Sequence, residues 1–199
     1  MTDDRERALA KIDDDVRAAD AYERKYMAGE GLVLHRAKAR APMWMQAALL
    51  LPLVALIPTL LAPGGLVVGL VLAPLVFLLW ALFAVLRVTV SEGHVNIQYG
   101  LFGPKIPIEA IESVEPTSYH WTKFGGWGIK RAWDGAWIYN MPGDGGRAVK
   151  IVWHDRKGRK RITWIGSRDH EALADAIARA RARRALPPGA VDASPRRIR

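Results

Sequence analysis

The sequence predicts an α+β protein. A two-helix transmembrane hairpin is followed by an antiparallel β-barrel or sandwich of about seven short strands, which a C-terminal helix closes. Three observations predict this fold. Residues 41–86 form a run of 46 without Asp, Glu, Lys or Arg. Residues 88–164 alternate between apolar and polar side chains in short segments, with the period of two that strands require. Residues 167–184 then have the capping residue and apolar spacing of a helix.

Composition divides the 199-residue chain into four predicted segments. They are an N-terminal cytoplasmic helix with a basic collar (1–42), the hairpin (43–86), the β domain with its helix (87–185) and a disordered basic tail (186–199). The net charge is +9, and residues 87–199 carry eleven acidic and twenty basic residues. This excess indicates an anionic neighbour, which is a lipid surface, a nucleic acid or an acidic protein. Beside a membrane segment the lipid surface is the simplest of these, and nucleic acid is not expected.

The predicted hairpin consists of two spans, residues 43–62 and 65–86. About 20 helical residues cross the ~30 Å hydrocarbon layer of a bilayer. The second span holds fifteen Leu, Val, Ile or Phe residues, which favour insertion by about −4 to −9 kcal/mol before other contributions. The first span is weaker because it contains Gln46, Pro52 and Pro58. The alternative, a helical hairpin buried in a soluble protein, would require this short chain to surround both apolar helices on all sides.

Basic residues flank the hairpin on one side, and the turn at Pro63-Gly64-Gly65 has no charge. Lys and Arg are retained on the cytoplasmic side, so both termini should be cytoplasmic and the chain should be a multi-pass protein of the inner membrane. Two tryptophans near the same ends would join an aromatic belt. The predicted membrane-interface residues are Trp44, Trp80, Arg36, Lys38, Arg40 and Arg87.

Residues 3–28 precede the hairpin and have the spacing of an amphipathic helix. Such a helix either packs on its own domain or forms a coiled-coil seam for self-association. The acidic cluster Asp13-Asp14-Asp15 would be repelled by anionic headgroups, so this helix is not expected to lie flat on the membrane. Gly29 and Gly31 should end it, and 32–34 should form a short strand.

Seven strands are predicted after the hairpin. Their ranges are 88–90, 95–99, 105–108, 113–118, 135–140, 149–153 and 162–164. The closing helix has Ser167 as its N-cap and Leu173 and Ile177 on its apolar face.

The order of several short motifs resembles bacterial pleckstrin-homology-like (bPH) membrane proteins. A hairpin is followed by Leu86-Arg87-Val88-Thr89-Val90, a Ser-Glu-Gly turn and a strand ending in Tyr99-Gly100-Leu101-Phe102-Gly103. The segments at 106–114 and Gly125-Gly126-Trp127-Gly128-Ile129-Lys130 continue the resemblance, with Lys where Arg is usual. The resemblance covers about residues 43–183. It implies a PH-like β-barrel with a C-terminal helix, no catalytic residues, and a role in membrane-tethered scaffolding and oligomer formation.

Two basic clusters are candidate sites for an anion or a lipid. The first lies at the tip of a predicted hairpin and consists of Arg156, Lys157, Arg159, Lys160 and Arg161. It helps membrane binding only if the tip faces the bilayer, where each cation contributes ~1 kcal/mol, and otherwise it is a solvated loop. The second, at 120–133, combines Lys123, Lys130 and Arg131 with aromatic residues. Such a loop stacks on nucleic acid, enters a membrane interface or packs its aromatics in the barrel.

The sequence predicts a non-enzymatic module. It has no cysteine, its five histidines share no metal-ligand spacing, and its Gly-rich segments lack the Lys-Ser/Thr of a phosphate loop. Neither a metal nor a cofactor is therefore expected. The predicted function is a membrane-tethered scaffold that binds a protein partner or a second copy. The alternatives are an anionic-lipid-binding module and a non-catalytic subunit of a membrane enzyme complex.

Overall fold

The computed structural model describes residues 22–27, 31–132 and 134–185. Within these residues nine strands form two separate sheets, and three α-helices accompany them. The strands are β1 Val33–Arg40, β2 Val85–Ser91, β3 His94–Tyr99, β4 Lys105–Pro107, β5 Ile111–Ser118, β6 Gly128–Arg131, β7 Trp137–Asn140, β8 Arg147–His154 and β9 Lys160–Gly166. The helices are α1 Met43–Leu56, α2 Gly65–Phe83 and α3 His170–Ala185.

Sheet A contains four antiparallel strands in the order β1-β2-β3-β4. Strand β1 was predicted as the short segment 32–34, but it continues through the basic collar to Arg40, which pairs with Val85. The collar alternates small or aromatic side chains with cations, and this period of two suits a strand with one face toward the core. The apolar hairpin is therefore inserted between two neighbouring strands of one sheet.

Sheet B contains five strands in the order β5-β8-β9-β7-β6. It is mixed, because β7 and β9 pair in parallel while the other neighbours are antiparallel. Strand β6 was not among the predicted strands, and it raises the number after the hairpin to eight. The described strands do not close into a barrel, so the two-sheet form of the prediction describes the fold better.

The apolar hairpin differs in detail from the two predicted spans. Helix α1 ends at Leu56, and a 3₁₀ turn follows at Pro58–Leu61, because proline has no N–H to donate to the preceding turn. Helix α2 ends at Phe83, and the last predicted helical residues belong to β2. Among the described helices, α2 alone is both long and apolar enough to cross a membrane, with 6% of its most apolar window buried.

The core lies between the two sheets and is closed on one side by α3. Five residues of α3 are buried, and the helix packs against β1, β2, β5 and β8. The C-terminal end of α3 is fixed to the β2–β3 turn, where Arg183 Nη1 lies 2.9 Å from Glu92 Oε1. The backbone N–H of Leu32 also donates to the Glu92 carboxylate, and these contacts lower the pKa of Glu92. The predicted closing helix is confirmed, but Ser167 is not its N-cap, because the helix begins three residues later at His170.

Several predictions concern residues that the structure does not describe. The tail at 186–199 and most of the N-terminal helix lie outside the described residues. Within the predicted range 3–28, residues 22–27 are described, and Glu23–Met27 form a helical turn. It packs on the outer face of sheet A, where Gln98 Nε2 donates to the Tyr22 hydroxyl at 2.8 Å.

Candidate binding site

The basic collar consists of Arg36, Lys38 and Arg40, whose side chains lie on the outer face of sheet A. Two of these cations and Arg87 of the neighbouring strand β2 converge there on one carboxylate. Glu23 is 7% exposed. Its oxygens lie 3.2 Å from Arg87 Nε, 3.8 Å from Arg36 Nη1 and 3.9 Å from Lys38 Nζ. These cations have an intramolecular counter-ion that the sequence analysis did not identify. Arg40 is exposed and lies closest in sequence to the hairpin.

Aromatic and apolar side chains of the β domain gather at the base of the hairpin. The ring of Trp127 meets the ring of Trp44 edge to face, at 5.9 Å between centroids. The β3–β4 turn exposes Leu101 and Phe102, which are 62% and 60% exposed. Trp80 lies near the C-terminal end of α2, with its ring 5.3 Å from Phe77. The predicted interface tryptophans are thus at the ends of the helices that adjoin the β domain.

The outer edge of β1 borders an open groove of about 550 Å³, which we call the edge groove. Residues 35–40 of β1 form one wall, and residues 141–144 and 166–169 of sheet B and its loops form the other. The first wall includes the small side chains of Ala37 and Ala39, and Leu86 and Val88 of β2 also line the groove. The groove extends to Arg40, at the end of β1 that joins the hairpin, and Arg168 lies on its far wall.

A buried polar network holds the far wall of the edge groove in place. The Asp144 carboxylate accepts hydrogen bonds from the Tyr119 hydroxyl and from the backbone N–H of Gly146. Asn140 Nδ2 donates to the same hydroxyl at 2.8 Å, and Asn140 Oδ1 accepts from the backbone N–H of Gly128 at 2.9 Å. Burial, followed by the bond to Asp144, raises the pKa of Tyr119. The network therefore ties the groove wall to the loop that contacts the hairpin.

Asn140→Ala is expected to lower the free energy of unfolding by about 1–3 kcal/mol, because it leaves a buried backbone N–H without an acceptor. Asn140 is fully buried. Chemical denaturation of the full chain in detergent, followed by tryptophan fluorescence, measures the change. Ser113→Ala, on the exposed part of β5, is the control and should change stability by less than about 0.5 kcal/mol. Equal stability of the two variants would contradict the assigned role of the network.

The first predicted cluster lies at the end of sheet B opposite the hairpin. Gly128 and Trp127 mark the end near the hairpin, where a Cβ on Gly128 would lie 3.8 Å from Phe83. The β8–β9 turn is at the other end, about 20 Å away along β8, which has eight residues. The turn therefore faces away from the hairpin, and its position gives no support to lipid contact by the same chain.

Three of the five cations at this tip are paired with carboxylates. Arg159 and Arg161 contact Asp155 at 2.9 and 3.2 Å, and Lys160 contacts Glu112 at 2.9 Å. Among the described residues Arg156 and Lys157 make no ion pair. Backbone N–H groups, first that of Arg159, and the arginine side chains lower the pKa of Asp155. This contribution to stability is complete above the unfolded pKa of about 4 and is lost on acidification.

The second predicted cluster is dispersed. Arg131 and Arg161 line one cavity of about 400 Å³ together with Trp137, Tyr139 and Trp153. Lys130 lies on the opposite face of β6, since neighbouring residues of a strand point to opposite sides. Lys123 belongs to the 3₁₀ turn Trp121–Phe124, and Trp133 lies outside the described residues. The cavity is thus lined by Arg161 of the first predicted cluster and Arg131 of the second.

The described residues contain no group of three or more His, Cys, Asp or Glu side chains placed to hold a metal ion. The edge groove is the site that sequence reasoning missed, although the period of two within the collar was a signal for an extended strand. Comparison of the chain with protein-family models, with curated proteins and with solved structures gave no match.

Proposed function

We propose that this chain is a membrane-anchored, non-enzymatic binding module that holds its β domain at the cytoplasmic face of the inner membrane and recruits a protein partner there. The observation that carries the proposal is the insertion of the apolar hairpin between β1 and β2. The backbone N–H of Ala41 donates to the Ala84 carbonyl at 2.8 Å, directly beside both helices. With no linker on either side, the hairpin fixes the distance and the orientation of the domain.

The dimensions and the surface of the hairpin support a membrane location. Helix α2 has 19 residues and is about 28 Å long, and α1 with its 3₁₀ turn is about 29 Å long. Both lengths approach the ~30 Å of a bilayer core. Leu66, Leu70 and Phe77 are each more than half exposed. A continuous apolar surface of this size is rare on soluble monomers. The side-chain amide of Gln46, within α1, donates from Nε2 to the Ala41 carbonyl at 2.7 Å, so this polar group has a hydrogen-bond partner inside the chain.

The resemblance to bPH proteins supports the same function. Two packed sheets with a C-terminal helix are compatible with the PH-like architecture that the resemblance implies. A second function, binding of anionic lipid, is favoured by Arg40, which is exposed three residues before the start of α1 at Met43. Each cation near an anionic surface contributes ~1 kcal/mol, so Arg40 would assist anchoring in addition to partner binding.

The absence of cysteine in the chain allows a direct test of location and topology. The full chain should remain in the membrane pellet after alkaline carbonate extraction. Ala62→Cys, in the hairpin turn, should react with a membrane-impermeant maleimide in intact spheroplasts. Ser113→Cys, on β5, should react only after permeabilisation and is the matched control. Release of the chain by carbonate, or labelling of Ser113→Cys in intact spheroplasts, would refute the membrane location or the orientation.

The recruiting role requires a separate test. Affinity purification of the full chain from native membranes in a mild detergent should recover a partner in a defined ratio. The chain with Arg168→Ala, which removes the bond from Arg168 Nε to the Gly143 carbonyl at 2.6 Å, should recover less of it. Recovery of the chain alone in every detergent and salt condition would refute the role as a binding module.

A further inference from the structure

The edge of β1 has the geometry of a template for one more strand. Among the described residues no strand pairs with its outer side. The bond from Ala41 to Ala84 identifies these two residues as a hydrogen-bonded pair, and such pairs recur at every second residue of an antiparallel ladder. Arg36, Lys38 and Arg40 therefore direct their backbone N–H and C=O groups away from β2, toward the edge groove.

The side chains on the two faces of β1 differ in kind. Arg36, Lys38 and Arg40 lie on the outer face, while Ala37 and Ala39 lie on the inner face beside the groove. An added strand would place alternate side chains next to these cations and the others in the groove. Opposite charges in adjacent strands stabilise a sheet, and like charges opposite each other destabilise it. The edge thus favours a strand that is acidic on one face and small or apolar on the other.

The same charges disfavour a second copy of this chain as the occupant. Two β1 edges brought together would oppose three cations with three cations. Glu23 is an intramolecular counter-ion of Arg36, Lys38 and Arg87, whereas Arg40 at the end of the strand is exposed. A cationic edge is also a common protection against uncontrolled strand pairing, but it leaves the edge able to select an acidic partner.

We propose that the β1 edge groove binds an acidic, extended peptide segment of a partner protein, which adds to sheet A as a fifth strand. This inference rests on the proposed function and names the partner chemistry of its site. Backbone hydrogen bonds provide the affinity in such complexes, and alternate side chains provide the specificity. The groove extends to Arg40, three residues before the hairpin begins at Met43, so the partner segment would be held next to the proposed membrane surface.

The test uses the full chain in nanodiscs of phosphatidylcholine at about 0.15 M salt. The probe is a fluorescent heptapeptide in which Glu and Val alternate, and its binding is followed by anisotropy. Two control peptides carry Lys in place of Glu, or N-methyl groups on alternate backbone nitrogens. Both should bind at least about tenfold more weakly, because one loses the charge pairing and the other the strand hydrogen bonds. Equal binding of the N-methylated peptide would overturn strand addition.

Two charge-matched variants locate the site. Lys38→Glu with Arg40→Glu should weaken binding of the Glu–Val peptide by tenfold or more. Arg156→Glu with Lys157→Glu has the same charge change at the opposite end of sheet B and should leave binding unchanged. Equal losses in both variants would show a non-specific charge effect and would overturn the site. Nanodiscs with anionic lipid provide a further arm: abolition of peptide binding there would show that the edge is a lipid site instead.

The outcomes separate the inference from the proposed function. A chain that recovers a protein partner from membranes but does not bind the Glu–Val peptide retains the function and refutes the strand-addition site. A chain that carbonate releases from the membrane refutes the anchoring, whatever the peptide assay gives.

Discussion

Replacing residues 42–83 with the dipeptide Asn-Gly is expected to convert the chain into a water-soluble β domain that keeps both sheets. Ala41 and Ala84 already form a hydrogen-bonded pair across β1 and β2. A two-residue Asn-Gly loop closes such a pair as a type I′ hairpin, whose twist matches that of the strands. The change removes most of the exposed apolar surface and restores a short connection between neighbouring strands.

Ultracentrifugation, circular dichroism and a cooperative denaturation curve measure this result. The replacement removes Phe83 and Met45, which pack against the core. The free energy of unfolding of the soluble domain should therefore be lower than it would be with these two contacts in place. The control is the chain that begins at Ala84, which also lacks the hairpin but has no β1. It should aggregate, because β2 becomes an unpaired apolar edge. Insolubility of the Asn-Gly variant, or equal solubility of the control, would contradict the integrated role of β1.

Gly100→Ala is expected to destabilise the full chain by more than about 2 kcal/mol, for two separate reasons. The φ angle of Gly100 is +59°, which costs a residue with a Cβ about 1 kcal/mol. A Cβ at this position would also lie 2.2 Å from the backbone carbonyl oxygen of Leu82. The end of α2 would have to move away from the β3–β4 turn to accommodate it.

Thermal denaturation in detergent measures the effect, and two controls separate its causes. Gly64→Ala has a similar φ of +79° but meets no atom within 4 Å, so it should cost only about 1 kcal/mol. In the Asn-Gly variant, where Leu82 is absent, Gly100→Ala should also cost only about 1 kcal/mol. Equal losses for Gly100→Ala and Gly64→Ala in the full chain would show that the contact with Leu82 has no energetic role.

Local patterns predicted the elements whose signals lie within one segment. The Ser167 region and the apolar pair Leu173 and Ile177 indicated α3, and the alternation at 95–99 indicated β3. The boundary between α2 and β2 was misplaced because Val85 and Leu86 are apolar in either structure. Periodicity cannot separate a helix end from a strand start over two residues.

Long-range contacts explain the other differences. The parallel pairing of β7 with β9 joins strands separated by β8, and no local pattern encodes it. The five basic residues at the β8–β9 tip look like one cluster in the sequence. Lys160 is nevertheless paired with Glu112, which is 48 positions away. Glu23 could not be assigned to the collar for the same reason, since its partners lie on β1 and β2.

The pairing of β1 with β2 has a consequence for how the protein is made. A ribosome releases β1 first, then both apolar helices, and only then β2. Arg40 pairs with Val85, which is synthesised 45 positions later. Strand β1 therefore cannot join sheet A until the hairpin has left the ribosome. If the hairpin is inserted in a membrane as proposed, delivery of the helices to the translocation machinery should therefore precede formation of sheet A. A delay at that step would leave β1 unpaired and in need of a chaperone.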